Sequence, residues 1–116
     1  MNLSEYAEQI HKTAVDHGWW ENGDRNIGEV MMLIVTEVAE AFEHYRHGQD
    51  ITEVFYLDDK REGVKDKPDG VPIELADILI RVLDFAHYNG IDIERAMQIK
   101  MAYNDSRPYK HGGKKC

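Results

Sequence analysis

The chain has 116 residues, 42% hydrophobic and 31% charged, a size and balance that fit one folded domain, residues 1–116, and leave no room for a second. Its formal net charge of −8 argues against a protein that coats a nucleic-acid polymer. No apolar run approaches the roughly 18 residues that span a bilayer, the amphipathic start MNLSEYAEQIHK lacks the apolar core of a secretory signal, and the lone Cys116 allows no internal disulfide. No membrane and a cytoplasmic location are therefore expected.

The first helix is expected from about Ser4, a plausible N-cap, to His17, with Leu3, Tyr6, Ala7, Ile10 and Ala14 on one stripe. Gly18 ends it, Trp19 and Trp20 sit in the connection, and Glu21 to Asp24 is rich in turn formers. A second helix runs from near Asn26 to about Arg46, where His47-Gly48 stops it. From Gln49 the period is lost. Ile51 to Leu57 reads as a short turn of helix or an extended piece, and Asp58 to Gly70 as a polar, charged and mobile loop. Pro72 suits the first turn of a third helix ending near Tyr88, and Asp92 caps a fourth that runs to about Arg107 before Pro108. There is no alternating strand pattern, so the expected fold is all-α, a four-helix bundle with a basic tail at 108–116. A domain this small buries only about two-thirds of its unfolded surface, which favours completion by self-association into a homodimer or homotetramer.

The chemistry-bearing residues are acidic pairs. On the second helix Val30, Leu33, Ile34 and Ala41 form an apolar stripe, and Glu37 falls inside it with Glu40 one turn on. Two carboxylates in a partly buried stripe both ionise only with a cation between them, and oxygen-only ligation points to Mg²⁺ or Mn²⁺. The third helix repeats the spacing with Glu74 and Asp77, and Arg81, Asp84 and Tyr88 continue that polar stripe on a helix that is otherwise apolar. Taken alone, Asp77 and Arg81 at i, i+4 read as a surface ion pair. Two antiparallel helices can nonetheless bring both acidic pairs to one centre. On the fourth helix Lys100 and Asn104 are i, i+4 neighbours with Arg107 on an adjacent line, so all three can reach one anion. Trp20, with Trp19, Phe42 and Tyr103, could supply a base-stacking wall, a contact worth about 1–3 kcal/mol per base.

The order TEVAE at 36–40, a long loop, ELAD at 74–77 and the closing KMAYNDSRPYKHGGK resembles the MazG-type all-α nucleoside triphosphate pyrophosphohydrolases over most of the chain. The resemblance implies that Glu37, Glu40, Glu74 and Asp77 hold Mg²⁺ on a triphosphate. It implies cleavage between the α and β phosphates to a nucleoside monophosphate and pyrophosphate, nucleotide contacts from Lys100 and Asn104, and a homo-oligomer. Many members carry a further Glu where this chain has Thr36. Competing patterns are weaker. Glu8–His11 and Asp84–His87 have the Glu-x-x-His spacing of di-iron bundles, but Glu8 and His11 lie off the apolar stripe and should face solvent. His44 and His47 straddle a helix end and read as surface histidines. The non-enzymatic alternative is a helical oligomerisation module whose acids line a groove.

Overall fold

A computed structural model describes residues 1–23 and 25–108; the expected basic tail beyond Pro108 lies outside them. Four helices follow the expected order: α1 Leu3–Asp16, α2 Ile27–Arg46, α3 Val71–Tyr88 and α4 Ile93–Ser106. Each of three starts has a side-chain cap. Asn2 accepts from the Glu5 amide, Asn26 from Glu29 and Asp92 from Arg95. Ser4 is therefore inside α1, because Asn2 satisfies the free amides one turn earlier. The chain is mostly helical, with one addition. Phe55–Leu57 (β1) and Lys67–Asp69 (β2) pair as a small antiparallel ribbon in the register Phe55↔Asp69, Tyr56↔Pro68, Leu57↔Lys67. The expected open loop thus ends in a strand. Pro68 is tolerated because a two-stranded ribbon has a free edge on each side.

α3 is the central element, packed on α1 along one side and on α2 along another, while α4 rests mainly on α1. The buried apolar set is small: Ala7, Val30, Ala41, Leu83 and Ala86. Among the described residues no large side chain is fully buried. The expected α2 stripe holds, with Val30, Glu37 and Ala41 buried and Leu33 and Ile34 half-buried. On α3 the polar stripe points inward at Glu74 and Asp84, and the apolar surface divides, with Leu83 and Ala86 buried and Leu75 and Leu79 exposed. The radius of gyration, 17.3 Å, exceeds the about 13 Å of a compact chain of this length. No helix among the described residues is long and apolar enough to cross a membrane.

Candidate metal centre

Glu37 enters the α2–α3 interface because the 3.6-residue period that buries Val30 and Ala41 buries it too. Glu74 arrives from the first turn of α3. There Gly70 breaks the ribbon at φ +116°, and a Cβ at that position would stand 2.4 Å from the Glu53 carbonyl oxygen. One oxygen each from Glu37, Glu74 and Asp77 come within 4.8 Å of one another. Glu37 and Glu74 are 6% and 7% exposed and Asp77 is half-buried. Glu40 sits at the exposed rim, near enough to both glutamates to hydrogen-bond with either. The two acidic pairs therefore converge, three carboxylates inside and one at the edge.

The centre is short of positive charge. Arg81 Nε donates to Glu37 Oε1 at 2.9 Å. The expected Asp77–Arg81 surface pair thus yields to a contact across the helix interface, where burial of Glu37 makes a cation worth more than at the surface. Oε2 of Glu37 and Oε2 of Glu74 are buried with no hydrogen-bond partner among the described residues. Facing carboxylates can hydrogen-bond only if one keeps its proton, and that proton falls to Glu74. Burial first, then the apposed Glu37, Glu40 and Asp69 carboxylates, push its pKa up to about 9. Burial would raise Glu37 as well, but hydrogen bonds from Glu74 and Arg81 hold it below the usual carboxylate range. Asp77 is raised by burial and by the Glu37 charge, against an opposing pull from Arg81.

A cavity of about 670 Å³ opens beside these acids between α1, α2 and α3. Glu37, Asp77 and Arg81 form one part of its wall, Gln9 and Ile10 line it from α1, and Trp19 and Arg25 line it from the connection. Arg25 lies 5.6 Å from the Trp19 ring and 5.3 Å from the Trp20 ring. No residue of 58–70 contributes to the wall.

The remaining expected ligand contacts are placed elsewhere. Trp20 Nε1 donates to Asp84 Oδ1 and Oδ2 at 3.2 and 3.1 Å, and its ring stacks on Tyr88 at 3.9 Å. It ties the connection to α3, and Trp19 is the tryptophan that faces the cavity. Phe42 points outward beside Tyr45 and Arg46. Lys100 and Asn104 lie exposed on α4 and Arg107, half-buried, caps its end; none of the three is in the cavity wall. Lys100 and Arg107 do gather around one group, the Tyr103 ring, at 4.9 and 5.4 Å. Thr36 is bonded to its own helix through the Leu33 carbonyl at 2.6 Å.

Two histidines depart from expectation. His11 is not turned to solvent: Nδ1 lies 2.6 Å from Asp84 Oδ1, and the ring packs against His87 and Trp20, while Glu8 stays exposed. His44 is only partly exposed, with Nε2 2.9 Å from Asp69 Oδ1 and 3.4 Å from Glu74 Oε1. No protein-family model matches the chain, and no curated protein or solved structure matches it.

Proposed function

We propose that the chain is a Mg²⁺-dependent nucleoside triphosphate pyrophosphohydrolase of the MazG type, acting in the cytoplasm. The observation that carries this reading is a pair of buried carboxylates, Glu37 and Glu74, each with an oxygen lacking a partner among the described residues, where Glu37 and Asp77 enter the wall of a nucleotide-sized cavity. The donor set fits Mg²⁺ or Mn²⁺, since it is all oxygen and carries more negative charge than Arg81 can offset. Glu37, Glu74 and Asp77 would hold the ion from inside and Glu40 from the rim. When bound, it supplies charge neutralisation for a polyphosphate and a more acidic water.

The chain's own residues account for orientation. Arg81 lines the cavity while its Nε is anchored on Glu37. Among the described residues that is its one hydrogen bond, so the terminal amino groups are left for an anionic oxygen, the bidentate geometry that guanidinium favours. Trp19 and Arg25, on the connection between α1 and α2, offer an aromatic face and a cation to a base. Phosphoryl chemistry needs positioning and charge neutralisation more than a protein nucleophile. The test is a panel of canonical and modified nucleoside triphosphates with Mg²⁺ or Mn²⁺. Monophosphate plus pyrophosphate is expected, and absence of both across the panel contradicts the reading.

A second copy of the chain completes the bundle in this proposal. Met31, Met32, Val35, Val38 and Phe42 of α2, with Leu75 and Leu79 of α3, form apolar surface that one chain leaves exposed. In a homodimer or homotetramer that surface is covered, and Lys100, Asn104 and Arg107 of one chain can approach the acids of another. Light scattering should give a mass of two or four chains; a clean monomer contradicts it.

A further inference from the structure

We propose that His44, Asp69 and Glu74 form a second cation site, selective for a first-row transition divalent ion over Mg²⁺, that shares Glu74 with the oxygen-only centre. Three elements build it: His44 from the last turns of α2, Asp69 from the end of β2 and Glu74 from the start of α3. The ribbon, which the reading above leaves without a task, delivers Asp69. Its register sets Asp69 opposite Phe55, whose ring meets the His44 imidazole edge-on at 5.7 Å and fixes the ring's orientation. The Gly70 amide holds Asp69 Oδ1 at 2.8 Å. Asp69 is 9% exposed, so this is a built corner rather than a surface cluster.

The donors are oversubscribed as a hydrogen-bond network. His44 Nε2 stands 2.9 Å from Asp69 Oδ1 and 3.4 Å from Glu74 Oε1. One ring nitrogen has at most one proton, so with Asp69 and Glu74 both ionised, as metal ligation requires, it can satisfy one of those carboxylates and not both. Glu74 is more than nine-tenths buried, and its other oxygen has no partner among the described residues. A divalent ion satisfies all three ligands at once. With bonds of about 2.1 Å, neighbouring donors stand about 3.0 Å apart in an octahedron and about 3.4 Å apart in a tetrahedron, close to the 2.9 and 3.4 Å from His44 Nε2 to its two neighbours. One donor atom from each residue falls within 4.8 Å of the others. The imidazole decides the metal class: nitrogen with two carboxylates suits Mn²⁺, Fe²⁺, Co²⁺ or Zn²⁺, whereas Mg²⁺ prefers oxygen alone. Glu74, offering Oε1 to this site and holding Oε2 free, is placed as a bridging carboxylate.

The test is Mn²⁺ binding to the full chain, followed by electron paramagnetic resonance, with ¹⁴N coupling as the mark of imidazole ligation. Wild type should show ¹⁴N-coupled Mn²⁺ that survives excess Mg²⁺. His44→Gln and Asp69→Asn should each bind one fewer Mn²⁺ per chain and lose the coupling, with helical circular dichroism unchanged. Glu37→Gln should keep the coupled ion, which separates this site from the pyrophosphohydrolase reading whether or not the chain turns over nucleotides. Absence of ¹⁴N coupling in wild type, its persistence in His44→Gln, or its loss to Mg²⁺ overturns the proposal.

Discussion

Two groups of buried acid sit on the same face of α3 and differ in how they are satisfied. Asp84 accepts from Trp20 through both oxygens and meets His11 at 2.6 Å, so each oxygen has a donor from α1 or its connection. Glu74, less than three helical turns earlier, faces carboxylates and keeps a buried oxygen without a partner. Burial alone does not separate them, since Asp84 is 8% exposed and Glu74 7%. The donors around them do. A buried carboxylate whose oxygens are filled by the fold is part of the scaffold. One left open where more carboxylates converge costs stability, and in the proposed reading a cation offsets that cost.

Substitutions on either side sharpen that contrast. Glu37→Gln should lower metal-dependent turnover by about a hundredfold or more while the helices persist, measured as initial rates beside far-UV circular dichroism. Asp84→Ala should do the reverse. It removes the carboxylate that accepts from Trp20 and pairs with His11 and should lower unfolding free energy by about 2–4 kcal/mol in urea titrations, while the folded fraction still binds metal.

The pH dependence follows from Glu74. Its folded-state pKa, about 9, lies above the ordinary 4.5, so the folded chain holds a proton that the unfolded chain releases. The stability from that proton is fully present below about pH 4.5 and is lost as pH rises toward 9. Thermal scans without metal should therefore show a falling midpoint over that window, by about several degrees, and Glu74→Gln should flatten the slope. The smallest effect is expected at Arg81. Lysine can still pair with Glu37 but cannot bridge it to an anion with a planar fork, so Arg81→Lys should raise KM several-fold and change kcat less.

Much of this was legible in the sequence where a single helix carries the information. Glu37 inside an apolar stripe and the repeated spacing of Glu74 and Asp77 follow from the helical period, and the structure brings those three together. What was not legible depends on contacts between elements. The partner of Arg81 is on another helix, so the i, i+4 rule chose Asp77 in place of Glu37. His44 read as surface because Asp69 reaches it only through a ribbon of three-residue strands, too short to show alternation and containing Pro68. Trp20 and His11 converge on Asp84 from 64 and 73 residues away, and no local pattern announces that. The exposed apolar residues of α2 and α3 cannot be told from core by periodicity, because both faces of those helices are apolar.

The central claim is that the open oxygens of Glu37 and Glu74 exist to hold a divalent cation. The direct measurement is calorimetric titration of Mg²⁺ into wild type and Glu74→Gln, each checked for folding. Saturable binding by wild type, its loss in Glu74→Gln, and a metal-free variant at least as stable as wild type at pH 7 are the predicted result. Equal Mg²⁺ binding by the two proteins, or none by wild type, would contradict it.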